Sequence, residues 1–178
     1  MNLTEVIHAA SNRLAEQLKA NHASVTTVES CTGGLVSAAI TALSGSSAYY
    51  PGGFVTYSNL LKHELVGVSN DTLDRFGAVS PQTAIEMARG GRARIGSDYA
   101  ISITGIAGPS GGSDDKPVGM VWICVSGPRN LTDCRGFRFF GDRDQIRSQS
   151  CMNALEMAIQ MIAGSPAALP DEHERFDG

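Results

Sequence analysis

Long apolar runs, paired-cysteine motifs, histidine clusters and charge are all scarce in these 178 residues. No stretch approaches the roughly 20 consecutive apolar residues of a membrane-spanning helix, so no membrane partner is expected. The N-terminus has no basic segment leading into an apolar one, so no signal peptide is expected either. The four cysteines, Cys31, Cys124, Cys134 and Cys151, include no CxxC pair, and three lie in apolar stretches. That favours reduced thiols in a cytoplasmic protein over a disulfide framework. The four histidines, His8, His22, His63 and His173, make neither an HExxH motif nor a Cys/His group with zinc spacing. Nothing here argues for a metal or a cofactor. Charged residues reach only 18%, and the formal net charge is -4. Most of that charge sits in Asp171, Glu172, Glu174 and Asp177 against Arg175, so residues 1–163 carry only -1. Phosphate-backbone binding needs clustered Lys and Arg, so nucleic acid is not an expected partner.

What remains is an ordinary globular composition. Hydrophobic residues make up 42% and the mean hydropathy is -0.06. Both suit one domain, expected over 1–163, with a loose acidic tail over 164–178. Leu3, Ile7, Ala10, Leu14 and Leu18 recur at helical spacing over 4–20. Residues 24–28 are β-branched and short, hence a strand, followed by the turn Glu29 to Gly34 and a helix from Leu35. A second strand is expected at 54–57, and short helices at 59–66 and 71–76. Ser80-Pro81 reads as a helix start, with the helix running to Ile95. Strands follow at 99–106, 118–125 and 131–140. Asp142 with Gln145 three residues on then opens a last helix as a capping box. Helices alternate with strands early and loops join the last strands, which implies an α/β sandwich on a mixed sheet.

Three segments have the residues for chemistry. The turn Glu29-Ser30-Cys31-Thr32-Gly33-Gly34 lies between a strand and a helix N-terminus, where backbone N–H groups are free. A hydroxyl or thiol there can attack a carbonyl while the amides of 31–34 hold the oxyanion. The same residues also suit simple helix capping by Ser30 or Thr32, and the helix end can equally activate Cys31. The histidines are poorly spread for a Ser-His-Asp triad, whereas the segment Tyr57 to Lys62 offers a lysine that burial can neutralise into a base. A solvated lysine is the bland alternative. The second segment, Thr104 to Gly112, ends a strand in repeated glycines, which let backbone approach a ligand. It is neither a P-loop nor GxGxxG, and a long hairpin connection reads equally well. Asp114-Asp115 reads as an exposed acidic turn. In the third, Arg143 and Arg147 lie four apart at the last helix start, where a phosphate could be gripped, and Arg147 reads as solvated.

In order, the chain has Val-Glu-Ser-Cys-Thr-Gly-Gly (28–34), Gly-Phe-Val-Thr-Tyr-Ser-Asn (53–59) with Lys62, and Gly-Ala-Val-Ser (77–80). Thr-Gly-Ile-Ala-Gly-Pro-Ser-Gly-Gly (104–112), Lys-Pro-Val-Gly (116–119) and Gly-Asp-Arg (141–143) follow. This set resembles the C-terminal domain of the competence-damage-inducible CinA family in its stand-alone form, over about residues 5–163. The resemblance implies a three-layer α/β/α sandwich on a five-stranded mixed sheet of order 2-1-3-4-5, strand 4 antiparallel. It also implies an enzyme without cofactor that acts on a small molecule, and a homo-oligomer is expected. Its expected reaction is hydrolysis of the carboxamide of nicotinamide mononucleotide to nicotinate mononucleotide and ammonia, in pyridine-nucleotide salvage. The implied catalytic residues are Ser30, Lys62 and Tyr57, with Tyr57 orienting the pair. The resemblance adds Thr104 and Arg143 as binding residues, beside Cys31, Thr32, Gly33 and Gly34 of the turn and Gly105 and Gly108 of the glycine loop. The alternative is a non-catalytic nucleotide-binding or regulatory module of the same family, linked to competence or DNA damage.

Overall fold

The computed structural model describes residues 2–164, and the expected tail from 165 onward lies outside them. Helix α1 (Leu3–Ala20) buries Ala10, Leu14 and Leu18 on one face and opens on a capping box of Asn2 and Glu5. Strand β1 (Val25–Glu29) follows and is buried at all five positions. Next come α2 (Leu35–Thr41), β2 (Gly53–Val55), α3 (Asn59–Val66) and α4 (Asn70–Phe76). Helix α5 (Pro81–Ile95) starts as the sequence predicts, with Ser80 capping the amide of Thr83 and proline at the first helical position. Strands β3 (Tyr99–Gly105), β4 (Met120–Ser126) and β5 (Thr132–Arg138) precede α6 (Arg143–Ile162), whose capping box is Asp142 and Gln145.

The strand order is β2-β1-β3-β4-β5. Strand β1 pairs parallel with β2 and β3, while β4 is antiparallel to both β3 and β5. Strand β4 therefore alone runs against the rest, as the resemblance implies. The two ends of β1 differ from expectation by one residue: Glu29 completes the strand, where the sequence reading makes it the first residue of the turn. Strand β4 begins at Met120 because Gly119, at φ +90°, turns the chain into the ladder.

Helices α1, α2 and α6 cover one face over the main core, which includes Leu14, Leu18, Ile101, Ile123 and Leu155. The other face holds α5, with α3 and α4 packed against it. Two smaller apolar groups lie there, around Val28 and Met87 and around Ala84, Ala88 and Trp122. The contact between α5 and α3 is backbone to backbone. A methyl group on Gly90 would sit 1.7 Å from the carbonyl oxygen of Val66, and one on Gly91 would meet Val28 Cγ2 at 2.2 Å. Glycine costs about 1 kcal/mol in a helix relative to alanine. Here it lets α3, which carries Lys62, approach the sheet.

Candidate active site

Strand β1 delivers its last residues to the carboxyl edge of the sheet, where open α/β folds form their ligand crevices. Gly33 (φ +62°) and Gly34 (φ +97°) take left-handed conformations that let the chain turn at once into α2. Neither Ser30 nor Thr32 caps that helix. The carboxylate of Glu29, wholly buried, accepts from the amides of Gly34 (3.0 Å), Val36 (3.1 Å) and Ser37 (2.8 Å) and from the Ser37 hydroxyl (2.7 Å). An internal anion thus satisfies the helix N-terminus. Ser37 continues the network to Thr27 and Tyr50. The sequence reading missed this role. An acidic residue one position before a strand-to-helix turn is the available signal, but pairing it with amides seven and eight residues on needs the folded turn.

Glu29 and the turn itself also narrow the supply of free amides. Gly34 donates to Glu29, and Gly33 donates to the Ser30 carbonyl at 3.1 Å. The backbone N–H groups of Cys31 and Thr32 have no oxygen acceptor among the described residues. The four-amide cradle expected over 31–34 is therefore reduced to two amides.

Ser30 is held by its own amide on the Ile103 carbonyl (2.9 Å). Its Oγ lies 3.0 Å from Lys62 Nζ, which also donates to the Thr56 carbonyl at 2.8 Å. Lys62 is 1% exposed. Burial lowers its pKa to about 8, only partly opposed by the neighbouring Cys31. The lysine is thus a buried amine in contact with a serine hydroxyl. Cys31 stands beside them in the opposite state, with its thiol pushed up to about 12. Burial is the main cause, opposed by the Cys31 backbone N–H and by Lys62 and Arg143, with the nearby Glu29 carboxylate adding a smaller upward push. The expected activation of Cys31 by the helix end does not prevail, because the cost of burying a thiolate outweighs the backbone N–H that favours it.

A cavity of about 240 Å³ opens over Ser30 and Lys62, and its walls include Cys31, Tyr57, Thr104, Gly105, Gly108 and Arg143. The structure thus brings together eight of the eleven residues singled out in the sequence. Thr32, Gly33 and Gly34 shape the turn behind the wall, and the Thr32 side chain is wholly buried. Thr104 spends its hydroxyl on the Ala78 carbonyl at 2.7 Å. Tyr57 is 60% exposed at the rim, and its hydroxyl accepts from Arg143 at 3.1 Å. It makes no hydrogen bond to Ser30 or Lys62. Arg143 also donates to the Gly108 carbonyl at 2.8 Å, so it ties the glycine loop to Tyr57 across the cavity mouth. Arg147 is not the solvated residue its position suggests. It donates to the Thr32 carbonyl at 2.9 Å and pairs with Asp144, bracing the nucleophile turn from α6. Lys116 likewise pins the glycine loop by donating to the Phe76 carbonyl at 2.6 Å. His63 binds the Val68 carbonyl and does not line the cavity. Among the described residues no group of His, Cys, Asp and Glu could hold a metal ion, and no helix is long and apolar enough to cross a membrane.

Comparison with known proteins matches residues 7–162 to the CinA C-terminal domain. The chain is 47% identical over 154 residues to nicotinamide-nucleotide amidohydrolase PncC of Enterobacter agglomerans, covering 86% of this chain and 94% of that protein. It is 49% identical over 152 residues to the protein of that name from Escherichia coli (strain K12), covering 85% and 92%. Among solved structures, the competence/damage inducible protein CihA from Agrobacterium tumefaciens superposes with a TM-score of 0.86 at 41% identity, covering 88% of this chain and 95% of that one.

Proposed function

The chain belongs to the CinA C-terminal domain family, and from that premise we propose that it hydrolyses the carboxamide of nicotinamide mononucleotide, giving nicotinate mononucleotide and ammonia. The observation that carries this reading is the buried contact of Lys62 Nζ with Ser30 Oγ at 3.0 Å, beside two amides that have no oxygen acceptor among the described residues. The kinship with nicotinamide-nucleotide amidohydrolases supports the choice of substrate.

In the proposed mechanism Lys62, neutral once deprotonated, takes the proton of Ser30. The Ser30 oxygen attacks the carboxamide carbon, which the cationic pyridinium ring makes more electrophilic. A neutral lysine also suits a cationic ring better than an ammonium would. The amides of Cys31 and Thr32 stabilise the oxyanion. Lys62 gives its proton to the amide nitrogen, which leaves as ammonia, then draws a proton from the water that resolves the acyl-enzyme and passes it to the departing Ser30 oxygen. Arg143 has N–H groups to spare at the cavity mouth and would take the 5′-phosphate, with the loop over 105–112 against the ribose. Tyr57 acts through Arg143, holding its guanidinium in place, in place of direct orientation of the Ser30–Lys62 pair.

Ammonia release from nicotinamide mononucleotide, measured beside nicotinamide and NAD, tests the reading. Turnover of the mononucleotide with little of nicotinamide is expected, because the phosphate contact is lost in the latter. No ammonia from the mononucleotide at any pH between about 6 and 10, a span bracketing the lysine's titration, overturns it in favour of a binding module.

A further inference from the structure

Cys124 and Cys134 face each other across β4 and β5. The type of pairing follows from the ends of the same ladder. Gly127 donates to the Leu131 carbonyl, and Phe139 donates to the Gly119 carbonyl, both at 2.9 Å. Hydrogen-bonded and non-hydrogen-bonded pairs alternate along an antiparallel ladder. Counting inward from either end makes the odd-numbered residues of β4 hydrogen-bonded and the even-numbered ones not. Cys124 and Cys134 are therefore a non-hydrogen-bonded pair, the kind whose Cα atoms lie about 4.5 Å apart with side chains closest. A disulfide requires Cα atoms roughly 4.4–6.8 Å apart, so the backbone is already within range.

The side chains agree. Both cysteines are free thiols. Cys134 packs against the apolar group that contains Cys124, and its thiol donates to the Pro81 carbonyl at 3.8 Å. Cys124 is wholly buried against Ala84, Ala88 and Trp122, whereas Cys134 is partly exposed on the edge strand. One sulfur can be reached by a small reagent and the other waits behind it. Neither lines the cavity over Ser30.

We propose that Cys124 and Cys134 form a dithiol modification site that low-molecular-weight disulfides convert reversibly into a cross-strand disulfide. Cys134, as thiolate, attacks one sulfur of the reagent disulfide, forming a mixed disulfide and expelling one thiolate. Cys124 then loses its proton and attacks the Cys134 sulfur, breaking the mixed disulfide and expelling the second thiolate. The protein gives up two electrons and two protons, and the reagent leaves as two thiols. The bond ties the edge strand β5 to its inner neighbour, and a reducing dithiol reverses it. This inference stands apart from the proposed reaction at Ser30.

The test uses the full chain, treated with glutathione disulfide, alkylated in denaturant and digested with trypsin. Cleavage after Arg129 and Arg135 puts the two cysteines on different peptides. The expected result is a disulfide joining those peptides, with Cys31 and Cys151 alkylated. The intact mass falls by two hydrogens, and dithiothreitol reverses the change. In Cys124→Ala, with no resolving thiol, Cys134 should instead retain one glutathione. Wild-type Cys134 that accumulates a glutathione while Cys124 is alkylated would overturn the proposal, as would a Cys134 left fully alkylatable in both proteins.

Discussion

Ser30 and Cys31 are neighbours in one turn, yet their surroundings divide them. The serine touches a buried amine, while the thiol is raised by burial and by a carboxylate to about 12 and stays protonated near neutral pH. Ser30→Ala should therefore lower kcat at least about a thousandfold with binding retained, and Lys62→Met should resemble it. Cys31→Ala should cost far less. Steady-state kinetics with calorimetric binding decides this, and an inactive Cys31→Ala beside an active Ser30→Ala would make the thiol the nucleophile. Because Lys62 must be neutral to act and its pKa is lowered to about 8, kcat/KM should rise with pH, reach half its maximum near that value and level off above it. The linkage to stability has the same direction. Between about pH 8 and the ordinary lysine value the unfolded chain binds more protons than the folded one, so Lys62 makes the fold more stable as pH rises through that window. Glu29 is the other decisive residue. Glu29→Gln keeps the shape but turns an amide NH₂ toward donor groups, and should cost about 2–4 kcal/mol of stability. It should also lower kcat by loosening the turn under Ser30. Thermal unfolding beside kinetics checks both, and an unchanged melting temperature would remove Glu29 from this role.

At the scale of elements, the site depends on how closely helices approach one another. Lys62 reaches Ser30 because α3 lies against α5 with Gly90 at the contact, where a methyl group would fall 1.7 Å from the Val66 oxygen. Gly90→Ala improves helix propensity yet should destabilise the protein by about 1–3 kcal/mol through overpacking. Because the displaced element is α3, it should also lower kcat, although Gly90 touches neither Ser30 nor the cavity. Denaturant unfolding with kinetics tests this, and a more stable, fully active variant would show that α3 is free to adjust. The loop between β3 and β4 is tied down at both flanks in a similar way, by Arg143 on Gly108 and by Lys116 on Phe76. Polar contacts to backbone carbonyls here do what apolar packing does elsewhere.

For the whole molecule, the five strands, the six helices and the cavity-lining residues described all lie within 3–162. Residues 165–178 contribute most of the formal charge, with four acids against one arginine. Their removal should leave kcat/KM unchanged within about twofold and the melting temperature nearly so. A large fall in either, measured by calorimetry and ammonia release, would assign residues 165–178 a part in the fold or the site.

Element order, helix starts and the α/β class were legible in the chain because they rest on local rules. Ser80-Pro81 and Asp142 with Gln145 each cap within a few residues, and Leu14 and Leu18 mark a face through spacing alone. The candidate nucleophile was legible as a hydroxyl in a strand-to-helix turn. Its partner was legible only as one of two alternatives until the resemblance: Lys62 is 32 residues from Ser30 in sequence, and a lysine on a short helix is more commonly solvated than buried. Burial, which turns that lysine into a base, comes from α3 meeting α5 and β1. The state of Cys31 reversed between the two levels, since the fold buries the thiol and desolvation outweighs the backbone N–H, Lys62 and Arg143 that favour the thiolate. Arg147, whose helix position suggests solvent, was drawn to the Thr32 carbonyl by the packing of α6 across α2. Local chemistry wrote the elements, and long-range packing set the protonation and reach of the groups between them, because desolvation and hydrogen-bond supply belong to the assembled sheet and not to any one segment.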